Sequence, residues 1–212
     1  MINVKRFFSI LAICLASAQG IASEFTEYGA ECNTSSYKGS SEICAIEMEL
    51  FKVMNDYRCK FGKDMKEPHL QVDTRLAYSH ELALVAREYA KRAAETYTTP
   101  HQGYPRQRIQ KLKEIFPFLA TKIGSTFLLL NEIEAPARRA RGGMTIEETI
   151  MHDFFRSPGH RKAMMGSHSL LGSKHTSTHA GAGAYDSGSG RVYAVVLFGD
   201  VKDHPGQPIS CL

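Results

Sequence analysis

Ile46, Leu50, Val53 and Tyr57 recur at helical spacing, with Glu47, Glu49, Lys52 and Asp56 on the opposite side. That alternation predicts an amphipathic helix ending near Phe61-Gly62. Pro68-His69-Leu70 reads as a link, and a longer helix is predicted from about Thr74 to Glu95. Leu76, Ala83, Ala86, Ala90 and Ala93 give it a face of mostly small side chains, which lets a neighbour approach closely. The pattern breaks at Pro100-His101-Gln102-Gly103-Tyr104-Pro105, and a basic helix follows from about Arg106 to Ile115. Phe127-Leu128-Leu129-Leu130 is a short apolar run, either a strand or a buried turn, and Ala137 to Gly143 reads as a basic loop.

Thr145 and Glu148 stand in capping-box spacing at the start of the next helix. This helix ends near Arg156, because Pro158 disfavours helical geometry at Ser157. Ser157 can cap a new segment that begins at Pro158, placing His160 on its first turn beside Arg161 and Lys162. From there to His179 the chain is rich in Gly, Ser and His and reads as loop. Ala180 to Tyr185 and Arg191 to Phe198 read as two strands joined by Asp186-Ser187-Gly188-Ser189-Gly190. Positions Val192 to Phe198 are apolar on both parities, so that strand is buried on both faces, with a layer above and one below.

Composition places these elements in one exported domain. The 212 residues are 43% hydrophobic and 23% charged, enough for a single core. Lys5 and Arg6 precede an apolar run from Phe7 to Ala18 and small residues up to Ser23. Too short to span a bilayer, this reads as a signal peptide over 1–22, with cleavage after Ala22 favoured over Ala18 or Gly20. Cys14 falls inside it, which leaves Cys32, Cys44, Cys59 and Cys211, an even set that suits two disulfides in an oxidising compartment. Three pairings are open; Cys32–Cys44 with Cys59–Cys211 is drawn first, because it closes one local loop and pins the tail. The formal charge of +4 falls to +2 once Lys5 and Arg6 are removed, which gives no argument for nucleic acid or an anionic membrane.

Ser157-Pro158-Gly159-His160-Arg161, with Phe154 three residues before it, resembles the W-x-x-S-P-G-H-R element of bacterial CAP (SCP-like) domains. This superfamily includes the cysteine-rich secretory proteins, insect venom antigens and plant pathogenesis-related proteins. Leu50, Asn55 and Arg58 resemble its first-helix L-x-x-x-x-N-x-x-R, and Pro68, Leu70, Leu76 and Ala77 follow in family order. His101, Arg108 and Ile109 match a histidine followed by an arginine-bearing helix, and Gly181-Ala182-Gly183 with Val192 to Gly199 resembles the closing hairpin. Phe154 stands where the family usually has Trp, an aromatic substitution that keeps burial.

The resemblance implies an α/β fold, a three-layer α-β-α sandwich around a small, mostly antiparallel sheet. It divides the chain into the signal peptide, a cysteine-bearing extension over 23–45, a CAP domain over 46–200 and a tail over 201–212. It also implies a cleft lined by two histidines, His101 and His160, and a glutamate. Glu132 is chosen for that glutamate, with Glu134 as competitor; the glycine and asparagine of the family's G-E-N-I turn are not matched. The family's second glutamate falls on Ser157. Two neutral imidazoles converging on one cleft suit zinc or another divalent metal and leave positions open for water or ligand. A satisfied polar network without an ion is the plainer alternative. His175 and His179 have the spacing of a helical metal pair, but the Ser and Thr between them favour a loop.

The resulting expectation is a secreted or periplasmic binding module for a divalent metal, a small apolar ligand, a lipid, a peptide or an extracellular protein. It has no nucleic-acid partner and no transmembrane segment in the mature chain. The alternative is a hydrolase using the same cleft, with histidine and glutamate as base and acid and Ser157 as nucleophile. Against it, no nucleophile elbow is present.

Overall fold

A computed structural model describes residues 41–96, 101–170, 173–188, 190–202 and 209–211. Residues 1–40, which hold the expected signal peptide, most of the expected extension and Cys32, lie outside the described residues. The first helix, α1 (Ser41–Phe61), begins five residues before the predicted start. After a 3₁₀ turn at Pro68–Leu70 come two short strands, β1 (Thr74–Arg75) and β2 (Ala77–Tyr78). The second helix, α2 (His80–Thr96), therefore starts later than its pattern suggested, and Leu76 belongs to the strand segment. The reason is Asn55: its amide donates to Leu76 O (3.2 Å) and its carbonyl accepts from Leu76 N (2.8 Å). This buried side chain holds the segment extended, where helical spacing alone would have continued it.

Helix α3 (Arg106–Ile115) lies where predicted. The apolar run at Phe127 is the start of a long strand, β3 (Phe127–Arg138), which carries Glu132 and Glu134. Helix α4 (Ile146–Arg156) has both capping-box hydrogen bonds between Thr145 and Glu148. Helix α5 (Pro158–Met165) then starts at the proline. Ser157 occupies the N-cap position by its backbone only, since its side chain makes no cap hydrogen bond. The stretch read as loop after His160 holds the rest of α5 and a small hairpin, β4 (Ser167–Leu170) with β5 (Ser173–Thr176). Apolar periodicity could not find that hairpin, because its strands are short and polar. His175 lies on β5 and His179 on the next strand, so the pair has no helical geometry. Strands β6 (His179–Asp186) and β7 (Val192–Val201) follow, and β8 (Ile209–Ser210) pairs with β1.

The main sheet runs β2-β6-β7-β3; β2 and β6 are parallel and the other pairs antiparallel. Strand β7 is central and buried on both faces. Ala194, Val196 and Phe198 pack with Leu50, Met54, Ile150 and Phe154 of α1 and α4. Val195, Leu197 and Val201 pack with Leu82, Val85, Ala86, Ala90 and Leu112 of α2 and α3. The expected three layers are present, and among the described residues five helices cover the mixed sheet. Helix α2 lies directly on β6, because a Cβ on Gly183 would fall 2.0 Å from Arg87 N and one on Gly181 2.1 Å from Ala83 N.

Two polar devices fix the layers around the site. Arg58 of α1 donates from Nε to Thr74 O (3.1 Å) and from Nη1 to Met164 O (2.5 Å), placing a cation at the carbonyl end of α5. Glu47 of α1 accepts from Arg87 Nε (2.7 Å) and Nη2 (2.5 Å) of α2, and from Ala184 N (3.0 Å). The tail is pinned by the expected Cys59–Cys211 disulfide, beside the β1–β8 pair. Cys44 is also disulfide-bonded.

Candidate metal centre

Strand β3 is an edge of the sheet, so elements of both helical layers can reach around it to one place. Glu132 and Glu134, two residues apart on the strand, share a face. Their neighbours Ile133 and Ala135 enter the core formed with α1 and α4. Glu132 thus turns toward α3, where Arg108 meets it with Nε at 2.6 Å and Nη2 at 2.8 Å from its two oxygens. Both side chains are buried. Arg108 also donates from Nη1 to Gln102 O (2.7 Å) and stacks on Tyr89, its guanidinium 3.6 Å from the ring centroid. A planar guanidinium can do all three at once.

His101 sits in the turn before α3 with φ 64°, a left-handed conformation uncommon for a side-chain-bearing residue. Two hydrogen bonds hold it there. Its N–H donates to Glu134 Oε2 (2.9 Å), and its carbonyl accepts from Tyr104 N (3.0 Å). Its ring Nδ1 lies 3.1 Å from Glu132 Oε1. Since the carboxylate gripped by Arg108 only accepts, Nδ1 carries the proton in this contact. The lone pair is then on Nε2, on the opposite side of the ring from Glu132. The imidazole is 38% exposed, so an ion from solvent can reach it.

His160 arrives from the other layer. The break at Pro158 puts it on the first turn of α5, where its ring packs edge-on against Phe154 (centroids 5.1 Å) and lies 5.9 Å from the ring of His101. Burial lowers the pKa of His160, and the nearby charge of His101 lowers it further. Both effects favour the neutral imidazole, the form that ligates a metal. Burial raises the pKa of Glu134, and the charge of Glu132 adds to this. The His101 N–H and the charges of His101 and Arg108 act the other way.

Ligand atoms of His101, Glu132 and Glu134 lie within 4.8 Å of one another, a donor set suited to a divalent cation. His160 is outside that group, although its ring is adjacent. The three side chains named from the sequence, His101, Glu132 and His160, thus meet in one region, and Glu134 joins them. Arg108 was aligned from the sequence, but its role at the site was not apparent. Its signal is an arginine four residues before Leu112, on the helix face that the core claims. Tyr89 carried no signal, because nothing local marks which face of its ring a distant arginine will cover.

No protein-family model matches the chain, and no curated protein matches it. Among solved structures it is similar to an outer surface protein from Borrelia burgdorferi. That likeness has a TM-score of 0.47 at 21% identity and covers 72% of this chain and 90% of the other. At this identity and score it assigns neither a family nor a function.

Proposed function

We propose that the chain is an exported CAP-type domain whose edge cleft binds one divalent cation, such as zinc, through His101 and His160. Glu134 supplies a carboxylate, and water or a further ligand fills the remaining positions. The observation that carries this reading is the approach of the His160 ring to within 5.9 Å of the ring of His101, which is itself grouped with Glu132 and Glu134, the residues being drawn from three separate elements. Glu132 has a supporting role. Arg108 already engages both of its oxygens, and the contact of Glu132 with His101 Nδ1 fixes the ring and turns Nε2 away from Glu132. Export is supported by the apolar leader in the sequence and by the Cys59–Cys211 bridge. No helix among the described residues is long and apolar enough to cross a membrane.

Binding is favoured over hydrolysis because Ser157 makes no hydrogen bond to a histidine among the described residues, so no nucleophile–base pair is formed. Zinc titration by calorimetry of the wild type, His101→Ala, His160→Ala, Glu134→Gln and Glu132→Gln tests the assignment. Each histidine variant loses most of the binding and Glu134→Gln loses part. A folded His160→Ala protein that binds zinc like the wild type would remove His160 from the site. Peptidase and esterase screening with His160→Ala as control tests the hydrolase alternative; equal background in both proteins eliminates it.

A further inference from the structure

We propose that the groove between α2 and α3 binds an acidic sugar, its anionic group held by Arg92, Arg106 and Lys111 and its hydroxyls by Gln107 and Gln110. The groove has a volume of about 450 Å³, within the range of small-ligand clefts, and no aliphatic residue lines it. Tyr89 is its one aromatic residue. The Tyr89 ring and the stems of the long side chains can take the apolar face of a sugar, while the amides and guanidinium groups meet its hydroxyls and its charge.

The groove carries three cations, Arg92, Arg106 and Lys111, against one carboxylate. Its single carboxylate, Glu114, is engaged by Lys111 Nζ at 3.5 Å and by Gln110 Nε2 at 3.2 Å. Arg106 has no ion pair or side-chain hydrogen bond among the described residues. Arg92 donates to a neutral acceptor, Gln107 Oε1, at 3.1 Å. The other arginines of these two helices differ sharply: Arg87 and Arg108 each grip a buried glutamate through two nitrogens. Arg106 is also the first residue of a ten-residue helix whose N-cap, Pro105, offers no side-chain acceptor. The positive end of the helix dipole therefore adds to the potential in the groove.

The adjoining lobe, of about 290 Å³, shares Tyr89, Arg92 and Lys111 with the groove and adds Glu88, Lys91 and Glu95, with Lys91 and Glu95 paired at 3.7 Å.

The test is calorimetric titration of the full chain at low salt, with chelator present so that the candidate metal centre does not contribute. Glucose 6-phosphate and glucose 6-sulfate represent the two sources of the anionic group, with inorganic phosphate and glucose as partial ligands. Arg92→Gln/Arg106→Gln is the test variant; both side chains are exposed, so the fold is retained, as a thermal melt verifies. Lys113→Gln, an exposed lysine outside the groove, is the control. At least one sugar ester binds, roughly tenfold or more weakly in the double variant and more weakly as salt screens the charges, and unchanged in Lys113→Gln. Binding in the double variant equal to wild type overturns the proposal. So does inorganic phosphate binding as tightly as the sugar phosphate, since the groove would then recognise charge alone.

Discussion

Arg108 holds Glu132 through two nitrogens, at 2.6 and 2.8 Å, with both side chains removed from solvent. This pair joins α3 to the edge strand and, through Glu132 Oε1, fixes the ring of His101. It is the structural foundation of the site and bears on every variant near it.

Removing one partner leaves the other charge buried and unpaired. Arg108→Met is therefore expected to lower stability by about 3–5 kcal/mol, and Glu132→Leu by a similar amount. The double variant Arg108→Met/Glu132→Leu is expected to lose less than either single change, because no orphaned charge remains. Urea denaturation of the four proteins measures the coupling. Single losses that simply add in the double variant would show that the two side chains do not act as a pair.

His160 gives the apo protein a pH dependence whose sign follows from its lowered pKa. Above the unfolded value near 6.5 both states are neutral and the residue contributes no slope. As pH falls below that value the unfolded chain takes up a proton that the folded chain resists, so stability declines until the folded pKa is passed. With chelator present, the NMR titration of the His160 ring is expected to show a midpoint below 6.5. His101→Ala moves it upward only in part, since burial is the larger cause. A wild-type midpoint above 6.5 would contradict a buried, neutral imidazole.

Gly183→Ala is expected to destabilise strongly, by more than the ~1–3 kcal/mol usual for overpacking. Its Cβ would lie 2.0 Å from Arg87 N and 2.3 Å from Ala86 C, backbone atoms that cannot move without lifting α2 from the sheet. Gly159→Ala has open space at its Cβ and serves as the tolerated comparison. Denaturation midpoints of the two variants decide the matter, and equal midpoints would rule out the close approach of α2 to β6.

Much of the architecture was legible along the chain because its causes are local or periodic. The apolar parities of Val192 to Phe198 announced a strand covered on both faces, and the alanines of α2 announced the close contact that Gly181 and Gly183 complete. Thr145 and Glu148 announced a helix start, because a capping box is closed within one turn. The motif around Pro158 placed His160 at the beginning of a helix for the same reason.

What the tertiary structure alone decided is how charges and rings were partnered across layers. Helical spacing could not reveal that Asn55 would hold Leu76 extended, since that bond joins positions 21 residues apart. Nor could Glu132 and Glu134 be told apart in the sequence, which marked a strand or buried turn only over Phe127 to Leu130; in the fold both stand on one face of β3. Only the folding of α3 against that strand gave Glu132 to Arg108 and left Glu134 with the backbone of His101. Hydrophobic pattern records which positions leave water; it does not record which buried cation will find which carboxylate. That choice was made when the two helical layers closed around the edge of the sheet and brought His101 beside His160.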